Sequence, residues 1–372
     1  MRSILNSDVP GLPHYVSIII VNYGKGWLFK CLPSIMATKY PISRFEIIVV
    51  DNASNDDLAS IEKAFAGVKL IRLEKNVGYA QAVNIGVDYC SGEYVAVLNN
   101  DVVVTPNWLN ELVDVLANDE SVAAVCPKKE SLLVDHVLDG CGGALNLLGQ
   151  GWDRGESETD VGQYSDFADV VHPSGAIFLA RRKMKDVFGF FFNPDFFMLI
   201  DDVDFGLRCW RAHYKVVYNP NCVVYHARSP TLGGLNERNL YYYTKNMLAM
   251  IFEIFDSSFF VRLSPMLIET QLAQAFYLLS FHRKGHSVPS VLRGVRDFLF
   301  GLRLYSRRKV RITKEGDRQI LGKFTPSLII FEEARRHEKL IKLFLSVNNL
   351  YIRLVLHAEP IRDVIYFRKS PR

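Results

Sequence analysis

The chain has 372 residues, of which 49% are apolar and 23% are charged, and its formal net charge is +4. This composition is ordinary for a globular protein and excludes disordered and fibrous classes, and the length suits one large domain with a smaller one. The positive charge is concentrated between His282 and Arg318, where eleven Lys and Arg residues stand against three acidic ones. The remainder of the chain is therefore acidic on balance.

The six cysteines form no CxxC pair and several lie in apolar runs, which indicates buried free thiols and a reducing compartment. Residues 1–14 are predicted to be a tail, because Met1 to Pro13 lacks the continuous apolar core of a secretory signal. No stretch of about 18 uncharged apolar residues occurs, so we predict no membrane span and a cytoplasmic location.

Apolar, β-branched runs alternate with helical patterns through the first 126 residues. Strands are expected at Tyr15 to Val21, Phe45 to Val50, Lys69 to Leu73, Tyr94 to Leu98 and Val122 to Cys126. Helices are expected at Trp27 to Ala37, after a Ser54/Asp57 capping pair as far as Ala66, at Tyr79 to Cys90, and from Thr105 to Ala117. Repeated strand–helix units predict an α/β fold with a mostly parallel central sheet and helices on both faces.

The second half of the chain is less regular. Residues 128–168 break the rhythm with glycines and acids, as an excursion over the active face or a dimer contact would. Regular elements are expected again at Val170 to Ala180 (strand), Asp202 to His213 (helix), and Lys215 to Tyr218 and Cys222 to Tyr225 (strands). A boundary near residue 235 separates a C-terminal region, 236–372, which is predicted to be helical throughout.

Three apolar runs end in acidic or amide side chains. The first ends at Asp51-Asn52, the second at Asn99-Asn100-Asp101, and the third at Asp201-Asp202-Val203-Asp204. A buried parallel strand delivers polar groups in this way to the carboxyl edge of an open sheet, where ligands bind. We therefore predict that Asp51, Asp101 and Asp202 meet around one cavity.

These segments, with the small-residue segment Asn76 to Gly86, occur in the order found in family 2 glycosyltransferases of the GT-A fold. The chain resembles the rhamnosyltransferase-like branch of that family over roughly Val16 to Arg228. The resemblance implies a catalytic domain over residues 15–235, with a nucleotide-binding half (15–126) and an acceptor half (127–235). It also implies a nucleotide diphosphate sugar as the donor.

On the donor side, the resemblance implies that Asp51 accepts hydrogen bonds from the nucleoside. The other residues assigned to the donor are Asn22, Asn52, Asn76, Gly78, Ala82, Asn99 and Asn100. Small residues allow close approach of a ligand, and a helix N-terminus suits an anion. The alternative for Asp51 is an ordinary turn residue, and the alternative for Gly78 and Ala82 is close helix–sheet packing.

The segment Asn99-Asn100-Asp101 stands where the family carries its DxD-type metal motif. A hard divalent cation, Mg²⁺ or Mn²⁺, takes oxygen ligands and neutralises charge on a departing diphosphate. The resemblance implies that Asp101 and His226 hold this metal, although His226 could equally be a structural histidine. Asn99 replaces the first acid of the motif and removes one negative charge, which we expect to weaken metal binding.

The segment Asp201 to Asp204 stands at the family's Glu-Asp position, which implies that Asp202 is the general base, with Asp201 in reserve. Clustered acids can raise one another's pKa, which would suit a base, although they can also simply cap a helix. Ser174, Gly175, Asp204 and Arg208 are assigned to the acceptor side. The alternatives are a strand bend at Gly175 and pairing of Arg208 with the acids.

From Val291 to Arg307, apolar residues fall on one helical face and arginines on another. The apolar set is Val291, Val295, Phe298, Leu299 and Leu302, and the basic set is Arg293, Arg296, Arg303 and Arg307. Such a helix suits an anionic membrane surface, where each basic residue adds about 1 kcal/mol. A solvated helix packed on the catalytic domain is the alternative.

The sequence thus predicts an inverting, single-sugar transferase acting on a glycan acceptor, lipid-linked, at the inner face of the cell membrane in surface-polysaccharide synthesis. The Gln-x-x-Arg-Trp signature of processive synthases is absent. A sugar nucleotidyltransferase is the runner-up, but Asn22 to Gly26 does not continue as a glycine-rich basic loop. A catalytically weak membrane-binding scaffold is the third reading, and nucleic-acid binding is disfavoured because few aromatics interleave with the basic residues.

Overall fold

A computed structural model describes residues 14–24, 26–228, 236–282, 286–309, 317, 320–331, 337–356, 358 and 360–367. The strands are β1 (Val16–Asn22), β2 (Phe45–Asp51), β3 (Val68–Arg72), β4 (Tyr94–Asn99), β5 (Val102–Val104), β6 (Val122–Ser131), β7 (Leu138–Gly140), β8 (Gly143–Leu145), β9 (Gly151–Asp153), β10 (Ala168–Asp169), β11 (Ile177–Arg181), β12 (Lys215–His226), β13 (Ser327–Phe331) and β14 (Asp363–Phe367). The α-helices are α1 (Leu28–Met36), α2 (Leu58–Ala64), α3 (Tyr79–Asp88), α4 (Trp108–Asn118), α5 (Met184–Phe188), α6 (Asp201–Arg211), α7 (Glu237–Ile254), α8 (Ser257–His282), α9 (Ser287–Arg308) and α10 (Glu338–Tyr351), with a 3₁₀ turn at Ile42–Arg44 and a π turn at Ile352–Leu356.

The central sheet has the order β10-β12-β6-β11-β4-β1-β2-β3, with β5 paired to β12 and β7 to β6. Strands β3, β2, β1, β4, β6 and β12 run in one direction, and β11, β5, β7 and β10 run against it. The predicted α/β fold with a mostly parallel sheet is confirmed. The antiparallel insertion of β11 matters for function, because it brings the residues that precede β11 to the carboxyl end of β4.

The two faces of the sheet carry separate cores. In β1, Ile18 and Ile20 pack on one face with α1 and α4, whereas Ile19 and Val21 pack on the other with α3 and α6. This alternation is the period of two that a strand imposes on its side chains. Helices therefore cover both faces, and the strand ends are left as the accessible edge.

The strands predicted for the first 126 residues are all present, with ends shifted by one or two residues except for β6, which continues to Ser131. The short β5 was missed, because three valines between polar residues give no periodic pattern. The capping prediction needs a correction: Asp57 is the N-cap of α2 and accepts from the Ser60 N–H, while the Ser54 hydroxyl accepts from the Asp56 N–H outside the helix.

Residues 128–168 are not a loose excursion. They contribute β7 to the main sheet and form the β8–β9 hairpin, and Leu145, Leu147 and Leu148 lie in the core beneath the C-terminal helices. The strand expected at Val170 to Ala180 begins only at Ile177. The two strands expected after α6 form a single strand, β12, with register shifts.

The C-terminal region is mainly helical, as predicted, but it also contains the parallel pair β13–β14, which the sequence pattern did not reveal. The amphipathic segment Val291 to Arg307 lies within α9. Its inward face, including Val291 and Phe298, is buried against the rest of the protein, so that face is not available to a membrane. Apolar groups on the outer face, discussed below, are exposed.

All six cysteines are free, and five of them are buried, as the sequence indicates. None of the helices in the described part of the chain has both the length and the hydropathy to cross a bilayer.

Candidate functional site

The first part of the site is a chain of hydrogen bonds across the ends of β1, β2 and β4. The register places Asn22 opposite Asp51, and the Asn22 amide donates to Asp51 Oδ1 at 2.8 Å. The Asn100 amide donates to Asn22 Oδ1 at 2.7 Å and also to the Gly24 carbonyl at 3.1 Å. Asp51 therefore sits in a rigid, polar frame at the carboxyl edge of the sheet.

Asp101 and His226 lie together at the next position along this edge. Strand β12 ends beside β5, the Ala227 N–H donates to the Asp101 carbonyl at 3.0 Å, and His226 Nε2 lies 3.2 Å from Asp101 Oδ1. Both side chains are at most about one-tenth exposed. The residues that the sequence analysis named as metal ligands are therefore neighbours in space.

A buried carboxylate fixes the orientation of His226. Asp139 Oδ2 lies 2.9 Å from His226 Nδ1, on the opposite side of the ring from Asp101. Burial lowers the pKa of His226, but Asp139 and Asp101 outweigh it and raise the pKa to about 9. The ring sits between two carboxylates and is held so that Nε2 faces Asp101.

These residues fit a divalent cation. A histidine whose second nitrogen bonds a carboxylate is the usual arrangement around a protein-bound metal. In the described part of the chain, no group of three or more His, Cys, Asp or Glu side chains could hold a metal. Mg²⁺ commonly binds one or two protein groups together with substrate phosphates, so Asp101 and His226 suit a metal held jointly with a diphosphate.

Lys129 extends this network towards the acceptor half. Its Nζ lies 3.0 Å from Asp139 Oδ2 and 2.7 Å from Asp153 Oδ2, and its side chain is only 2% exposed. Burial opposes the charge on Lys129, but the two carboxylates hold its pKa above the usual range. Ser174 donates to Asp153 at 3.0 Å and is fully buried, so its hydroxyl serves this network rather than the open edge.

The acids that begin α6 lie on the other side of the β4 end. An added Cβ at Gly175 would lie 3.0 Å from Asp202 Oδ2, so the glycine permits the close approach of this carboxylate. The Asn99 N–H donates to the Ala176 carbonyl at 2.9 Å, which ties the same segment to the end of β4. Asp202 is therefore connected to the Asn99-to-Asp101 turn through a few backbone atoms.

His172 is the direct partner of Asp202. Its Nδ1 lies 3.3 Å from Asp202 Oδ2 and 3.0 Å from the Pro173 carbonyl, so this nitrogen is assigned as the donor. An added Cβ at Gly206 would lie 2.5 Å from the backbone of His172. Helix α6 can therefore pack directly on the segment between β10 and β11 that carries this histidine.

The two adjacent acids differ in protonation. Burial, then the charge of Asp202, raises the pKa of Asp201 to about 7. Burial also acts to raise the pKa of Asp202, but His172 outweighs it and holds the pKa below its usual value. The expectation that clustering raises the pKa therefore holds for Asp201, and for Asp202 it is wrong because a histidine faces the carboxylate.

Asp204 and Arg208 point away from the open edge. Arg208 Nε lies 2.8 Å from Asp204 Oδ2, its Nη2 contacts Glu253 of α7, and none of these side chains is more than 2% exposed. This placement fits the pairing alternative and does not fit contact with an acceptor. The trio connects α6 to the C-terminal region.

Four of the residues assigned to the donor, Asn52, Asn76, Gly78 and Ala82, have scaffold contacts. The Asn52 amide donates to Asn76 Oδ1 at 3.1 Å and to the Gly78 carbonyl at 3.2 Å, while Asn52 Oδ1 accepts from the Val77 N–H. Ala82 is wholly buried in the core, which fits close packing. The first N–H of α3, that of Tyr79, donates to the Phe197 carbonyl at 2.7 Å and is not available to an anion.

Tyr79 joins the two sides of the site. Its hydroxyl donates to the Gly175 carbonyl at 3.2 Å. Burial, together with the negative charges of Asp201, Asp202 and Asp101, raises its pKa well above the usual value. Carboxylates that are far apart in the sequence therefore lie near enough to Tyr79 for their charges to act on it.

Sequence reasoning missed His172, Lys129, Asp139 and Asp153. Each acts through a partner distant in the chain, and none follows an apolar run as Asp51 and Asp101 do. Of these four residues, only Lys129 could have been found from the sequence. It continues an apolar strand, and a charged residue in a buried strand requires a buried partner of opposite charge.

Comparisons with known proteins identify the family to which the chain belongs. A model described as "Glycosyl transferase family 2" matches residues 17–136, and one described as "Glycosyl transferase family group 2" matches residues 94–306. An uncharacterized glycosyltransferase of Haemophilus influenzae is 24% identical over 249 residues, covering 61% of this chain and 74% of that protein. An N-acetylglucosaminyl-diphospho-decaprenol L-rhamnosyltransferase of Mycobacterium tuberculosis is 28% identical over 248 residues, covering 58% of this chain and 77% of that protein.

Solved structures share the fold at low identity. S. aureus TarS superimposes with a TM-score of 0.54 at 15% identity, covering 84% of this chain and 51% of TarS. The mannosyltransferase PcManGT from Pyrobaculum calidifontis, solved with GDP-Man and Mn²⁺, gives a TM-score of 0.51 at 18% identity, covering 84% of each chain. The chain spans about half the length of TarS, and at these identities the likeness shows the fold.

Proposed function

The chain belongs to glycosyl transferase family group 2, and from this premise we propose that it moves one sugar, with inversion, from a nucleotide diphosphate sugar to a hydroxyl of a glycan acceptor. The observation that carries the proposal is that Asp202 approaches Gly175, and that the next residue, Ala176, accepts from the Asn99 N–H of the turn that carries Asp101 beside His226. Asn22 donates to Asp51 at the same edge of the sheet. Membership of this family favours sugar transfer over the nucleotidyltransferase and scaffold alternatives.

On the donor side, Asp51 accepts hydrogen bonds from the nucleoside, and Asn22 and Asn100 keep its carboxylate in place. Asp101 and His226 would hold Mg²⁺ or Mn²⁺, which when bound would supply positive charge beside the departing diphosphate. Support comes from the Mn²⁺ and GDP-Man bound to the structurally similar mannosyltransferase.

Asp202 acts as the general base. The acceptor oxygen attacks the anomeric carbon on the face opposite the diphosphate, the bond from that carbon to the diphosphate oxygen breaks, and the electron pair leaves with the diphosphate. The hydroxyl proton passes to Asp202, which His172 keeps ionised and available before the reaction. Asp201, whose pKa is about 7, is partly protonated at neutral pH and is the weaker candidate.

We place the acceptor on a lipid carrier at the inner face of the cell membrane, in the synthesis of surface polysaccharide. The related rhamnosyltransferase carries a diphospho-decaprenol acceptor in its name. The outer face of α9 presents Leu292, Leu299, Phe300 and Leu304, of which Phe300 is 80% exposed, among exposed arginines. Apolar groups beside arginines suit an anionic bilayer surface.

The central test compares Asp202→Asn with Asp201→Asn in an assay of donor turnover, using UDP-, dTDP- and GDP-sugars with Mn²⁺. Asp202→Asn should retain donor binding, seen as thermal stabilisation by the nucleotide sugar, and lose transfer by about 10²–10⁴-fold. Asp201→Asn should retain most of the transfer rate. Normal turnover by Asp202→Asn would refute the assignment of the base.

A further inference from the structure

A cavity lies outside the site described above, between the first turns of α7 and α9. Its volume is about 420 Å³, within the range of small-molecule sites. The lining residues are Glu237, Arg238, His286, Pro289, Ser290 and Arg293.

Two guanidinium groups in this lining are held by aromatic rings. Arg238 Cζ lies 5.4 Å from the ring centroid of Phe197 and 5.9 Å from that of Tyr242. Arg293 Cζ lies 4.5 Å from the ring centroid of Tyr241. Stacking restricts the planar group while leaving its in-plane N–H donors available to a ligand.

Neither of these guanidinium groups has an ion pair or a side-chain hydrogen bond within the described residues. Neighbouring arginines differ in this respect, because Arg296 pairs with Asp297 at 2.7 Å and Arg308 pairs with Asp195. The acid in the lining is Glu237, whose Oε1 accepts from the His286 N–H at 3.3 Å. The lining therefore offers two positive charges against one negative charge, and Asp297 lies near enough to Arg293 for their charges to interact.

Phe197 connects Arg238 of the cavity lining with the catalytic site. Phe197, on which Arg238 stacks, lies four residues before Asp201, and its carbonyl accepts from the Tyr79 N–H. Tyr79 in turn contacts Gly175 beside Asp202. Arg238 therefore packs on the segment that leads into the acids of α6.

We propose that this cavity binds the diphosphate group of the sugar acceptor, with Arg238 and Arg293 as paired donors to its oxygens. This inference rests on the proposed function, because the diphosphate bound here would belong to the same acceptor whose hydroxyl Asp202 deprotonates. A guanidinium presents a fork of N–H groups that matches phosphate oxygens, and two such forks suit a diphosphate. The headgroup of an anionic phospholipid offers similar oxygens, and the experiment separates the two sources.

The test measures binding of geranyl diphosphate to the full-length protein by isothermal titration calorimetry, with EDTA and without a nucleotide sugar. The variant Arg238→Gln/Arg293→Gln should bind it at least about tenfold more weakly than the wild type, since both guanidinium donors to its oxygens are removed. The control Arg296→Gln/Arg303→Gln removes the same charge from the exposed face of α9 and should bind as the wild type does.

A parallel arm measures co-sedimentation with phosphatidylglycerol vesicles that contain no acceptor. Here Arg296→Gln/Arg303→Gln should lose binding, and Arg238→Gln/Arg293→Gln should keep it. The proposal is overturned if the wild type does not bind geranyl diphosphate, if both variants bind it equally, or if Arg238→Gln/Arg293→Gln loses only vesicle binding. Because neither arm requires sugar transfer, failure of this proposal is distinct from failure of the donor-turnover assay.

Discussion

Asp201 and Asp202 are adjacent in sequence and meet opposite environments. Asp202 faces His172 at 3.3 Å and keeps a side chain that is 20% exposed, whereas Asp201 is 6% exposed and has Asp202 and Asp204 as charged neighbours. One carboxylate is therefore ionised and partly accessible, and the other is buried and holds its proton more tightly. This division follows from the helix start, which turns consecutive side chains in different directions.

The raised pKa of Asp201 predicts a dependence of stability on pH. Between about pH 4 and pH 7 the folded protein retains a proton that the unfolded chain has released, since the pKa rises from 3.8 to about 7 on folding. The stability contributed by this group therefore falls as pH rises through that window and levels off above it. The side chain of Asp201→Asn does not ionise, so the variant does not lose this contribution as the pH rises. The difference in unfolding free energy, variant minus wild type, should therefore increase from pH 4 to pH 8 by at most about 4 kcal/mol.

Urea denaturation at a series of pH values measures this difference. Glu253 also has a pKa raised to about 7, so the variant should keep part of the wild-type slope. Asp186→Asn, an exposed acid on α5, is the matched control and should give a curve parallel to that of the wild type. A parallel curve for Asp201→Asn as well would contradict the buried, proton-retaining state of Asp201.

At the scale of elements, the segment before α6 is positioned by α3. Gly78 precedes α3 with a φ of +89°, and an added Cβ there would lie 2.4 Å from the Phe197 carbonyl oxygen. The adjacent Tyr79 N–H donates to that same oxygen. Gly78 is therefore needed both for its backbone conformation and for the contact that fixes the approach to Asp201.

Gly78→Ala should destabilise the protein more than a positive φ alone explains. Gly67→Ala is the matched control, because Gly67 has a φ of +93° with no atom within 4 Å of an added Cβ. We expect Gly67→Ala to cost about 1–2 kcal/mol of unfolding free energy and Gly78→Ala a further 1–3 kcal/mol from the clash. Equal losses in chemical denaturation would show that the contact with Phe197 does not constrain this segment.

The elements that the sequence predicted are those that carry a local pattern. Apolar runs gave β1, β2 and β4, and their polar ends gave Asp51 and Asp101 at one edge. Strands β7 to β10 were not predictable, because they are only two or three residues long and are too short to show a periodic pattern. Asp139 and His172 were hidden for another reason, since their roles depend on the partners that the fold brings to them.

At the scale of the whole molecule, the boundary drawn near residue 235 divides a continuous core. Met247, Leu248, Met250, Ile251 and Ile254 of α7 are at most 1% exposed and belong to the same apolar cluster as the catalytic sheet. Tyr243 accepts from the Gly151 N–H, and Glu253 contacts Arg208 in a buried pair. The compositional change at residue 235 is real, but composition alone does not show which surfaces pack together.

A chain that ends at residue 236 should therefore fail to fold cooperatively. Burial of each large apolar side chain of α7 is worth about 1.5–3 kcal/mol, so the loss of five of them is on the order of 10 kcal/mol, comparable with the whole stability of a domain. Removal of Glu253 also leaves the buried Arg208 with Asp204 alone. Thermal denaturation followed by near-UV circular dichroism should show one sharp transition for the full chain and none for the fragment. A fragment that melts sharply and binds a nucleotide sugar would show that the catalytic half folds independently of α7.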